Sequence, residues 1–243
     1  MMTEHTLKFF EEELTHLKAD VVRMGGLTEA QVVEAVRAVA SRDVGLAESV
    51  VVMDEQLDAL QHEIERCAIR LIALRQPVAQ DLRRAVGALK LSLILERAGD
   101  YAKNIAKRAL VIAHATPEVP LTRSVQRMGE LVAARLKEAL DAYTAGDVEA
   151  AKSVWNRDED IDEHYNSLFR ELLTDMMGDP HIIGTCAHLL FVAKNLERIG
   201  DYATGIAEIV QYEVAGEDFP EPRPKWSGVE PEPPVSETAP HET

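Results

Sequence analysis

Apolar residues recur along most of this chain at helical spacing. Leu7, Phe10, Leu14, Leu17, Val21 and Met24 step by threes and fours, and so do Leu57, Leu60, Ile64, Cys67, Leu71 and Leu74. Sustained spacing of this kind is the seam of long helices packed side by side at a shallow angle. No comparable stretch alternates as a strand would, so the pattern predicts an all-α protein. Only Pro77, Pro117, Pro120 and Pro180 interrupt it before Gly216. Helices are expected over roughly 5–42, 44–75, 78–114, 120–145, 147–178 and 181–215. Asp43 and Asp147 fall between the first and second helix of each set, where an N-cap acceptor is expected.

The six helices are two copies of three. Shifting the chain by 104 lays Arg23–Asp58 over Arg127–Asp162 with 16 of 36 positions identical. A shift of 101 lays LERAGDYAKNIA, from Leu95, over LERIGDYATGIA, from Leu196, with 9 of 12 identical. The change of shift falls in the turns around Pro77 and Pro180, where length varies cheaply. Two tandem three-helix bundles follow, 1–116 and 117–215, then a tail over 216–243. Seven of the 11 prolines lie in that tail, with seven acids against two bases. It cannot bury enough apolar surface to offset its ordering entropy and is expected to be disordered, with Trp226 its one candidate anchor.

Composition narrows the class. The chain has 243 residues and a net charge of −16, which works against nucleic acid and anionic membranes as partners. No apolar run is long enough to span a membrane, and the N-terminus has no signal-peptide pattern, so a cytoplasmic protein is expected. Cys67 and Cys186 have no CxxC context and are expected to be buried and inert.

The chemistry sits in carboxylates. Each copy carries two acidic pairs at i, i+4: Asp54 with Asp58 and Glu96 with Asp100, then Asp158 with Asp162 and Glu197 with Asp201. That spacing puts both carboxylates of a pair on one helix face, where like charges repel. Stepping back from Asp100 gives Glu96, Leu93, Leu89, Val86 and Leu82, so the acids continue an apolar stripe. Where neighbouring helices face each other, four carboxylates are expected to converge in each copy. Protonation, Arg or Lys partners, or a metal ion would neutralise them. Arg97 and Arg198 face about 100° away and are expected to reach other neighbours. A bound metal is the better expectation, and oxygen-only ligands favour Mg²⁺, Ca²⁺, Mn²⁺ or iron over zinc. Tyr101 and Tyr202 repeat beside the acids and are expected to pack there, while Gly99 and Gly200 admit a close neighbour.

With LERAGDY and LERIGDY on the third helix of each copy, residues 5–215 resemble the PhoU family of phosphate-signalling proteins. The resemblance implies two tandem three-helix bundles, each with a Glu/Asp-x-x-x-Asp motif. Glu96, Asp100, Glu197 and Asp201 match that metal-binding motif, and Asp54, Asp58, Asp158 and Asp162 match the acids that complete it. It further implies iron, zinc or single divalent ions such as Mn²⁺ or Mg²⁺ as cofactors. The implied role is a cytoplasmic negative regulator of the phosphate-starvation response, often a homodimer. Its implied partners are the phosphate ABC transporter ATPase subunit (PstB-like) and a sensor histidine kinase (PhoR-like).

Two other classes were weighed against this. An adaptor for a secondary phosphate permease would share the same bundle. A di-iron enzyme would need Glu-x-x-His on two helices, and only Glu13 with His16 provides it. GxxxxGK[ST], HExxH, GxSxG and GxGxxG are absent, so a non-enzyme is expected.

Overall fold

The structure, a computed structural model, describes residues 2–115 and 122–220, with the side chains of 2–8 and 122 excepted. The expected tail over 221–243, including Trp226, lies outside the described residues. Seven α-helices and one 3-10 turn, and no strand, make up the described residues. They are α1 (Met2–Ser41), α2 (Val44–Arg75), α3 (Ala79–Ala113), α4 (Thr122–Ala145), α5 (Val148–Asn156), α6 (Glu159–Gly178) and α7 (Ile183–Ala215), with the turn at Pro180–Ile182. The helices α1, α2 and α3 pack on one another, and α4, α5 and α6 gather around α7.

Both expected caps are present. Asp43 Oδ1 accepts from the Leu46 amide at 2.9 Å, and Asp147 Oδ1 from the Ala150 amide at 3.0 Å. The residue before each cap is left-handed: Gly146 at φ +65° in the second copy, but Arg42 at φ +54° in the first. Arg42 compensates by donating from Nη2 to the carbonyls of Ile112, Ala113 and Ala115, closing the C-terminus of α3.

Two expectations need correction. The helix expected over 147–178 is two, broken at Arg157, whose backbone leaves the helical basin at φ −105°, ψ 22°. Asn156 and Arg157 stand there in place of the exposed Val52 and half-buried Met53, while the aspartate that follows is kept. Within the segment expected as tail, Phe219 packs on Trp155 with ring centroids 4.9 Å apart. Cys67 is half-buried rather than buried, although burial raises its thiol pKa as it does that of the buried Cys186.

The seams of α1 and α2 form as expected around Leu17, Val21, Met24, Leu57 and Ile64, while Leu74 is exposed. One continuous core runs through both copies. At its centre α3 lies against α7. Contacts of Gly87 with Ile209, Gly205 with Ile94 and Tyr101 with Tyr202 show the two to be antiparallel. Small residues on both helices (Ala98, Gly99, Ala102 and Ala193, Gly200, Ala203) let their neighbours approach closely.

Candidate functional site

The stripe expected to lead to the acids is not the buried one. On α3 the buried face is Leu91, Leu95, Ala98 and Ala102, whereas Leu82 and Leu93 are exposed. Glu96 and Asp100 therefore continue a half-exposed edge beside the core. This is physically cheaper than a buried row of acids, because water still reaches the edge.

In the first copy the four carboxylates do share one neighbourhood. Burial raises the Glu96 pKa first, and Asp100, Asp58 and Asp54 raise it further, with a hydrogen bond to Asp100. Asp54 is buried at 4% exposure, while Asp58 and Asp100 are exposed. The sequence reading missed the cation among them. Lys103 Nζ forms an ion pair with Asp54 and stands 3.5 Å from Asp100 Oδ1. The hydrogen bond to Asp54 is the main cause of a raised Lys103 pKa.

The second copy keeps the acids and moves the charge. Thr204 stands at the position matching Lys103 and donates from Oγ1 to the buried Asp158 at 2.7 Å. Its cation comes from the other side: Lys194 Nζ, at the position matching Leu93, lies 2.8 Å from Glu197 Oε1. Arg198 does not reach a different neighbour, as expected, but stays on its own helix, 3.5 Å from Asp201 and 3.8 Å from Glu197. Lys103 and Lys194 were legible as the unmatched residues between otherwise repeated motifs. A lysine one turn from an acid is so common on helices that only the break in the repeat marks them.

The glycines and tyrosines act as expected. A Cβ on Gly99 would run into Leu57 Cδ1 and stand 2.9 Å from Gln31 Oε1, and one on Gly200 would stand 2.7 Å from Ile161 Cδ1. Leu57 and Ile161 are matched seam residues, so each glycine seats the second helix of its copy against the third. Tyr101 and Tyr202 face each other across the α3–α7 contact, centroids 5.9 Å apart. Burial and Tyr101 raise the Tyr202 pKa against an opposing hydrogen bond from Arg97, so Arg97 does reach across the seam.

The donor set suits a hard cation by its chemistry, being carboxylates alone. Its placement does not. Among the described residues no three acidic, histidine or cysteine side chains are grouped to hold an ion, and a lysine already pairs with a carboxylate in each copy. With the two lysines in place, the carboxylates of each copy are not gathered around one ion position among the described residues.

Comparison with known proteins places this geometry. The PhoU domain matches the chain twice, over residues 21–109 and 125–210. The "Phosphate-specific transport system accessory protein PhoU homolog" of Caulobacter vibrioides is 62% identical over 224 residues, covering 92% of this chain and 97% of that protein. The protein so named from Rhizobium meliloti is 45% identical over 225 residues, covering 93% and 95%. The crystal structure of PhoU from Pseudomonas aeruginosa superposes with a TM-score of 0.82 at 38% identity, covering 86% of this chain and all of that one.

Proposed function

The chain belongs to the PhoU family, and from that premise we propose that it is an accessory regulator of phosphate uptake. It restrains the phosphate-starvation response by linking the ATPase subunit of a phosphate ABC transporter to a sensor histidine kinase. It works in the cytoplasm, as a homodimer, and carries out no reaction of its own. The observation that carries this reading is the 62% identity to a phosphate-specific transport accessory protein along nearly the whole of both chains. That none of the helices among the described residues is long and apolar enough to cross a membrane suits a partner that reaches the membrane through others.

Deleting the gene should switch on phosphate-starvation reporters in phosphate-rich medium, and the full chain supplied in trans should silence them again. Immobilised full-length protein should retain the transporter ATPase from detergent extract. Reporters that stay silent on deletion would overturn the reading.

Metal binding at Asp54, Asp58, Glu96 and Asp100, and at Asp158, Asp162, Glu197 and Asp201, is part of the same proposal. An ion would have to displace Lys103 in the first copy and Lys194 in the second. Elemental analysis of protein purified without added metal tests this, with Glu96→Gln/Asp100→Asn as the control for the first copy. Manganese, iron, zinc or magnesium below one atom per chain would remove metal from the proposal and leave the regulator standing.

A further inference from the structure

A second polar site lies on a different stretch of α3 and α7. There α1, α3, α4 and α7 enclose a cavity of about 410 Å³, a volume typical of small-molecule sites. Its polar lining includes Lys18, Gln80, Arg84, Tyr143 and Glu213, with Glu11 at the rim.

Glu213 is the anomaly. Its Oε2 is buried without a hydrogen-bond partner. It lies against the α3 backbone at Gly87, where a Cβ would stand 2.9 Å from that same oxygen. An orphaned buried acceptor is expensive and rare in folded proteins, so the group calls for a donor. Around it stand groups that call for acceptors. Lys18 Nζ spends one donor on the Thr144 carbonyl at 3.0 Å and lies over the Tyr143 ring. Among the described residues Arg84 has a long 3.4 Å contact with Asp81 as its one hydrogen bond. Burial and the nearby Glu213 raise the Tyr143 pKa, keeping the phenol protonated and able to donate.

The complementary group donates once and accepts several times. A carboxylate has no proton to give at neutral pH, and sulfate has none either. Hydrogen phosphate has one P–OH and three further oxygens. We propose that this cavity binds inorganic hydrogen phosphate, with Glu213 accepting from the P–OH and Lys18, Arg84 and Tyr143 donating to the remaining oxygens. Preferring phosphate to a zwitterionic amino acid, which also offers a donor and acceptors, rests on the phosphate-regulator reading above.

Titration calorimetry of the full chain tests this with four probes: sodium phosphate, glycerol 3-phosphate, sodium sulfate and alanine. At pH 7.5 phosphate should bind at least about tenfold more tightly than sulfate or the glycerol 3-phosphate dianion, neither of which carries a P–OH or S–OH, since rejecting an unprotonated analogue is what a carboxylate acceptor does. Lys18→Met and Arg84→Gln should each weaken phosphate binding about tenfold or more. Glu213→Gln should let sulfate bind as well as phosphate, a gain that a merely structural role would not give. Thermal melts of each variant establish that it is folded, and Gly87→Ala, which crowds the carboxylate without removing a charge, provides a second route to weaker binding. No heat with phosphate, sulfate or glycerol 3-phosphate binding equal to phosphate in the unaltered chain, or saturation by alanine instead would overturn the assignment. A chain that silences the reporters yet binds no phosphate would lose the cavity and keep the regulator. A chain that binds phosphate but leaves the reporters active would do the reverse.

Discussion

The two copies keep the same four acids each and differ in how they are balanced. In the first, Lys103 pairs with a carboxylate buried at the foot of an unbroken α2. In the second, a hydroxyl takes that place, the lysine sits three residues before the glutamate, and the helix is broken just ahead of the matching aspartate. At the matched position buried Asp54 meets a lysine and buried Asp158 a threonine hydroxyl, so the two sites are related by the repeat and differ there in charge. Identity of the acids alone does not make two sites equivalent.

The largest way to break the comparison is Lys103→Met. It leaves Asp54 buried without its counter-charge, and we expect a loss of about 2–3 kcal/mol, discounted because Lys103 is partly exposed. Thermal melts should fall by roughly 5–10 °C. If added Mn²⁺ restored the melt, a metal would be taking the place of the lysine. Thr204→Val is the matched change in the second copy. Losing one hydrogen bond to a buried carboxylate should cost about 1–2 kcal/mol by urea unfolding. A cost equal to that of Lys103→Met would mean the two aspartates are held alike.

Gly99→Ala and Gly200→Ala sharpen it further. Gly99 meets both Leu57 and the Gln31 amide, whereas Gly200 meets only Ile161, whose Cδ1 end can give. Crowding of about 1–3 kcal/mol is partly offset by about 1 kcal/mol of helix propensity, leaving Gly99→Ala destabilised and Gly200→Ala near neutral.

Much of this contrast lay outside what sequence makes visible. The repeat, both caps, the seams of α1 and α2 and the tyrosine contact follow from spacing and could be read directly. Spacing could not separate the buried face of α3 from its half-exposed edge. Ala88, Ala98 and Ala102 fill the core while Leu82 and Leu93 sit outside, and a stripe drawn through the largest residues picks the wrong side. The break at Arg157 was hidden for a related reason: no proline or glycine marks it. The break in the repeat marks Lys103, but its pairing with Asp54, 49 residues away on another helix, is not visible in the sequence.

The smallest expected effect concerns Glu213, which belongs to neither acidic face. Burial raises its pKa above the ordinary value of about 4.5, with Lys18 and Arg84 opposing. The folded chain thus keeps this proton to a higher pH than the unfolded chain does, and stability contributed by the protonated form is lost as pH climbs past that value. Gln cannot ionise, so Glu213→Gln should be more stable than the unaltered chain at pH 7, by under about 1 kcal/mol. The gap should close near pH 4. Melts across pH 4–8 in phosphate-free buffer check it.

The contact of Tyr101 with Tyr202 carries a last consequence. Two matched rings meeting across antiparallel helices reproduce what a true dyad would create if one ancestral unit had paired with itself. Either unit expressed by itself would present the naked flank of α3 or α7 to water, and should seek out a copy of itself to hide it.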